Sequence, residues 1–160
     1  MADFQEHIKQ AEKNLSFLQQ VNKGIKGSWD WQVTISFYVG VHLINAHLAK
    51  ADLHFRSHEK IKSVLNPENR MSISKLDEPT YLAYVKLQQL SRRSRYLCHD
   101  SPENASNGEF LTYDKHFSKS IRCLNTIISF MKSEYKINLV RISIDCLELK
   151  NFESEVFNVV

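Results

Sequence analysis

Glycine and proline are scarce in this chain, four and three residues among 160. An all-β sandwich or barrel needs many of them for its tight turns, so the shortage argues against those folds and favours helices. Cysteine is as thin: Cys98, Cys123 and Cys146 are widely spaced and form no C-x-x-C. That excludes an even disulfide framework and a zinc knuckle, and fits reduced thiols in a cytoplasm. No apolar run reaches the ~18 residues of a membrane span, and MADFQEHIKQAEK lacks the basic start and apolar core of a secretion signal. A cytoplasmic protein with no membrane partner is expected, and the N-x-S match at Asn104 then carries no meaning as a glycosylation acceptor.

Strong catalytic signatures are missing too. There is no G-x-x-x-x-G-K-[ST], no G-x-G-x-x-G and no G-x-S-x-G, so a P-loop, a Rossmann dinucleotide site and a hydrolase elbow have no support. His54 and His58 lie four apart, and His42 and His47 five apart, with no Cys or carboxylate at a matching ligand spacing such as H-E-x-x-H. No metal and no cofactor are expected. His42 and His47 read as hydrogen-bonded histidines of a core or interface, and His58 as a local hydrogen-bonding residue at a helix start.

What is present is the composition of one ordinary globular domain: 42% hydrophobic and 24% charged residues. A formal charge of +3 and a pI near 8.7 permit a polyanionic partner but fall short of the pI above about 9 typical of dedicated nucleic-acid domains.

Hydrophobic spacing predicts five helices. Phe4, Ile8, Ala11, Leu15, Leu18 and Val21 recur at helical intervals from Asp3 to about Asn22. NKGIKGSWD breaks that run, with Ser28 or Asp30 as the next cap. WDWQVTISFYVGVHLINAHLAKAD is then apolar almost all round, with Val33, Phe37, Val41, Ile44 and Leu48 on one line and Trp31, Ile35, Tyr38 and Val39 filling adjacent faces. It reads as the most buried helix, and Gly40 inside it, at roughly 1 kcal/mol against Ala, predicts a close helix crossing. A short helix over Ser57 to Leu65, capped by Ser57 and closed before Pro67, comes third. Asp77 and Pro79 open a fourth, with Tyr81, Tyr84, Val85, Leu87, Leu90, Ser94 and Leu97 on its buried side. DSPENASNGEF, with Pro102 and Gly108, is a polar loop. Thr112 caps a fifth helix to about Tyr135, striped by Phe117, Ile121, Leu124, Ile127, Ile128 and Met131. The fold class is therefore all-α: an up-and-down bundle of about five helices over residues 1–136. Residues 137–160 form an irregular or short-strand extension packed on or beside it, where Val140, Ile142 and Ile144 alternate with polar residues.

The chemistry concentrates in LSRRSRYLCHD, Leu90 to Asp100. If the helix persists, Arg92 and His99 lie within about 20° of each other two turns apart, with Arg95 on the same face. Arg93 points about 100° away and rejoins them only if the helix unwinds before His99. Guanidinium groups beside an imidazole make a coherent metal-free phosphodiester site, with arginine stabilising the anionic transition state and histidine moving the proton. Tyr96 stacks beside them or simply packs. The same residues equally describe a solvated basic helix end, where Arg and His favour the negative end of the helix dipole.

Three stretches, WDWQVTISFYVGVHLINAHLAK, RSHEKIKSVL and YLAYVKLQQLSRRSRY, together resemble the HEPN superfamily (higher eukaryotes and prokaryotes nucleotide-binding domains). The resemblance lies in an aromatic Phe-Tyr and a histidine on the second helix, a Ser-His opening the third and a Ser-Arg-x-x-Arg-Tyr closing the fourth, and covers roughly Trp29 to Tyr135. It implies a four- or five-helix bundle, commonly a homodimer, that is either a metal-independent endoribonuclease with an R-x(4-6)-H motif or a module that has lost catalysis and binds RNA, a nucleotide or a partner protein. Carried onto this chain, His99 is the general acid or base, Arg92 or Arg93 the catalytic phosphate clamp, and Arg95 and Tyr96 phosphate-binding residues. Toxin-antitoxin and defence systems are the implied settings, with an antitoxin-like partner. The chain departs from the family in the residue after the motif arginine, commonly Asn, Asp or His, which here is Arg93 or Ser94.

Overall fold

The computed structural model describes residues 1–99 and 110–160. The predicted loop, with Pro102 and Gly108, and Asn104 lie outside the described residues apart from Phe110. Five α-helices run α1 Phe4–Gly24, α2 Trp29–Ala49, α3 His58–Leu65, α4 Glu78–Tyr96 and α5 Asp114–Tyr135. Two three-residue strands follow, β1 Ile142–Ile144 and β2 Phe157–Val159, flanking a 3-10 turn at Leu147–Leu149. The expected all-α bundle with a short-strand tail is the architecture found.

Local chemistry sets the helix ends, in places by residues other than those expected. Asp3 and Glu6 form a reciprocal capping box at α1: Glu6 N–H donates to Asp3 Oδ1 (2.8 Å) and Asp3 N–H to Glu6 Oε2 (2.7 Å). Asp77 caps α4 by accepting from Thr80 N–H at 2.7 Å, with Pro79 in the first turn. Ser28 stands at the N-cap of α2 but donates its hydroxyl back to Ile25 O (2.8 Å) and makes no cap bond, while Asp30 falls inside the first turn. Ser57 precedes α3 likewise without capping it. Thr112 does not cap α5: its hydroxyl is engaged with Ser94 Oγ at 3.1 Å, and Tyr113 takes the cap position, its N–H donating to His116 Nδ1 at 3.0 Å.

Helix α2 is the centre of the bundle. Val33, Phe37, Leu43, Ile44 and Leu48 on it, Leu87 and Leu90 on α4, and Ile121, Leu124 and Ile127 on α5 are all buried. Each such side chain removes roughly 1.5–3 kcal/mol worth of apolar surface from water. Gly40 marks the predicted crossing: a Cβ there would lie 2.9 Å from Leu87 Cδ2 and 3.6 Å from Ile127 Cδ1, so α4 and α5 both close on α2 at this point. Two expected core residues of α2 are exposed instead, Trp31 at 64% and Tyr38 at 45%, because the opposite sides of the helix already meet α1, α4 and α5. Leu97 is also exposed, since it lies beyond the last turn of α4.

The tail is anchored by polar and apolar contacts. Asn22 Nδ2 donates to Asp145 O (3.0 Å) and Asp145 N–H to Asn22 Oδ1 (2.8 Å), while Ser143 N–H donates to Gln19 Oε1 (2.6 Å). Strands β1 and β2 pair in parallel, Ile142 opposite Phe157 and Ile144 opposite Val159. Leu139, Ile142, Ile144, Leu149, Val156 and Phe157 join the helical core cluster.

Candidate functional site

The arginine-rich end of α4 is divided between two faces. The helix stops at Tyr96: Leu97 adopts a left-handed conformation (φ 52°) and its N–H closes on Arg93 O at 2.9 Å, an αL C-cap. His99 is therefore off the helix, and the expected alignment of Arg92 and His99 on one helical face does not form.

Arg93 turns inward. It is only 9% exposed, its Nε and one terminal nitrogen donate to Leu111 O at 3.1 and 2.9 Å, and its guanidinium carbon lies 5.4 Å from the Phe110 ring centre. His99, half-buried, packs edge-on against the same ring, with centroids 5.0 Å apart. Phe110 N–H donates to Leu97 O at 3.2 Å. Arg93 and His99 thus meet through Phe110, in an arrangement that ties the end of α4 to the approach of α5.

Arg92, Arg95 and Tyr96 turn outward and are exposed. Arg95 Nε donates to Ser91 O (3.3 Å), and its guanidinium carbon lies 5.2 Å from the Tyr96 ring and 5.8 Å from the Phe37 ring. Phe37 is the hub of this face. Its buried ring lies 5.6 Å from His58, 5.9 Å from Tyr38 and 6.4 Å from Tyr84, centroid to centroid. Side chains from α2, α3 and α4 converge there: Tyr38 beside Phe37, the His after Ser57, and Arg95 and Tyr84 of α4.

Partial burial, and then the positive charge of Arg95, hold the His58 pKa below its ordinary value, leaving the imidazole uncharged at neutral pH. A neutral imidazole beside a guanidinium can accept a proton or donate a hydrogen bond, and the guanidinium suits a phosphate oxygen. Beneath Phe37, the hydroxyl of fully buried Tyr84 has no hydrogen-bond partner among the described residues, and burial drives its pKa up.

His58 is the residue that spacing alone undervalued; the signal for it was its place in the Ser-His motif opening α3. His47 is a hydrogen-bonded core histidine, with Nδ1 2.7 Å from the Tyr135 hydroxyl and Nε2 3.2 Å from Ser74 O. His42 pairs with His7 of α1, Nδ1 to Nδ1 at 3.1 Å. Burial raises the thiol pKa values of Cys123 and Cys146, which makes them poor nucleophiles. Among the described residues, no group of three or more His, Cys, Asp or Glu is placed to hold a metal ion, and no helix is long and apolar enough to cross a membrane.

No family model, curated protein or solved structure matches this chain.

Proposed function

We propose that this chain is a HEPN-like helical module that binds RNA or a nucleotide through the outward face of α3 and α4. Arg95 and Arg92 contact phosphate, His58 donates or accepts a hydrogen bond beside them, and Tyr96 and Tyr38 offer aromatic faces to bases. The observation that carries the reading is the Phe37 hub, which holds the His58 ring and the Arg95 guanidinium within 6 Å of one buried aromatic ring. Exposed cations alternating with exposed aromatic rings are what single-stranded nucleic acid requires, because phosphate supplies charge at each step and every base has a stackable face. The resemblance to HEPN domains adds that the module works as a homodimer, with RNA or an antitoxin-like protein as its partner.

The test is a titration of a labelled mixed single-stranded RNA pool in EDTA with wild-type protein and the Arg92→Gln/Arg95→Gln double variant. Saturable binding that the variant weakens about tenfold or more supports the reading. Equal binding by both proteins places the site elsewhere.

A second reading, a metal-independent endoribonuclease, is favoured by the uncharged imidazole of His58 beside the Arg95 guanidinium. In that reading either His58 or His99 moves the proton, and Arg92 or Arg95 stabilises the phosphorane-like transition state; Arg93 is committed to Leu111. Cleavage of the same pool with cyclic-phosphate ends, abolished by His58→Ala or His99→Ala and unaffected by EDTA, is its expected signature. Intact RNA under conditions where binding saturates leaves the binding module as the function.

A further inference from the structure

His7 and His42 face each other across the contact between α1 and α2 with their Nδ1 atoms 3.1 Å apart and their ring centres 5.4 Å apart, the planes tilted by 39°. As a plain hydrogen bond this pair needs one ring to carry its proton on Nδ1 and the other to keep Nδ1 bare. The separation also suits another occupant. Two imidazole nitrogens bound to one zinc-class ion at about 2.0–2.1 Å each, and 3.1 Å from one another, subtend roughly 100° at the ion, between octahedral and tetrahedral angles. Both rings are only half-buried, so an ion has access to them, whereas the fully engaged His47 has no free nitrogen to offer.

We propose that His7 and His42 form a two-histidine chelate for a divalent ion of the zinc, nickel and cobalt class, which pins α1 onto α2, with water completing the coordination. Binding requires the donor ring to shift its proton from Nδ1 to Nε2, a tautomer exchange that leaves each imidazole neutral and releases no net proton. The surroundings favour this. Burial lowers the pKa of both rings; for His7 the next cause is the charge of His54, and for His42 that of His7. The carboxylates of Glu6, in the first turn of α1, and Asp3, its N-cap, act on His7 in the opposite sense and would help to balance a dication. A histidine binds such an ion only as the uncharged imidazole, so binding fades at acid pH. The histidines lie 35 residues apart on separate helices, so the site clamps tertiary structure.

Metal-free full-length protein is titrated with zinc chloride by calorimetry, and with cobalt chloride by visible absorption, for wild type, His7→Ala and His42→Ala. The expected result is one ion per wild-type chain, a nitrogen-ligated cobalt spectrum, and affinity reduced at least tenfold in both variants. A rise in Tm of about 5–10 °C is expected for wild type at zinc about a hundredfold above Kd. Should either variant fold poorly by circular dichroism, imidazole nitrogen NMR on the wild type decides: His7 and His42 signals move with zinc while that of His47 stays. No binding by the wild type up to millimolar zinc, unchanged affinity in both folded variants, or zinc-induced shifts at other histidines alone would each overturn the proposal.

Discussion

Arg93 and Arg95 are two positions apart in one helix, share one local sequence, and lead different lives. Arg93 is buried, gives two hydrogen bonds to the Leu111 carbonyl and lies beside Phe110. Arg95 is exposed, makes one long bond to its own helix and lies within 6 Å of both the Tyr96 and the Phe37 ring centres. A 200° rotation separates side chains two residues apart on a helix, which is enough to place one toward α5 and the other toward α3. An arginine-rich run is therefore not one basic patch. Its inward member acts as a strut, and only its outward members are free to meet an anion, as the proposed function requires.

The contrast can be broken most forcefully at the strut. Replacing Arg93 with Ala removes charge-assisted bonds from a buried position and is expected to cost about 2–3 kcal/mol in urea unfolding, with Arg93→Lys recovering only part because lysine has no planar fork. RNA affinity of the folded fraction should change less than about twofold, well under a tenfold step. The opposite pattern belongs to Arg95→Gln: stability within about 0.5 kcal/mol of wild type, and RNA affinity lower by about tenfold. If Arg93→Ala instead spared stability and abolished binding, the two roles would be reversed.

A smaller effect is expected from pH. His7, His42, His47 and His58 all have folded pKa values below the ordinary 6.5, burial being the first cause in each. The unfolded chain then binds more protons than the folded one below about pH 6.5, so stability falls as pH drops from 6.5 through the lowered folded values and is flat on this account above it. Thermal unfolding at pH 7.5, 6.5 and 5.5 checks the sign. Protonating His58 adds positive charge beside Arg95, so RNA affinity should rise over the same interval in which stability falls, and His58→Ala should remove that rise. The smallest change is expected at Tyr84→Phe beneath the hub. It deletes a buried hydroxyl without a described partner, and a gain of up to about 1 kcal/mol is predicted. A loss in the same urea titration would mean that the hydroxyl is satisfied.

Much of the fold was legible in the sequence. The apolar stripes of α1 and α5 and the Asp77–Pro79 start of α4 follow from short-range rules, since periodicity and capping act within a turn or two; the crossing at Gly40 was signalled by one missing Cβ, although the residues that meet there, Leu87 and Ile127, lie far along the chain. The features that escaped depend on distant partners. Nothing local announces that Leu97, which is not glycine, takes the left-handed cap that ends α4 before His99. Arg93 is buried because an acceptor 18 residues away meets it. Thr112 gave up its cap because Ser94 of another helix engages its hydroxyl. Trp31 and Tyr38 looked like core on a helix apolar all round, yet once three neighbours had covered α2 they were left facing water. His58 was visible in the sequence as part of the Ser-His pair opening α3, but its contact with the Phe37 ring, 21 residues earlier, was not. The residues of this stretch were thus legible as types, and their division between a buried and an exposed face was not.

On the proposed function, the outward arginine face meets phosphate while the inward arginine holds the fold. The most direct measurement is the salt dependence of binding of a labelled single-stranded RNA by wild type and Arg95→Gln, followed by fluorescence anisotropy. The account predicts saturable wild-type binding whose log affinity falls linearly with log salt, and a variant with weaker affinity and a slope shallower by about 0.7, the loss of one single-strand phosphate contact. Wild-type and variant curves that coincide in both affinity and slope would contradict it.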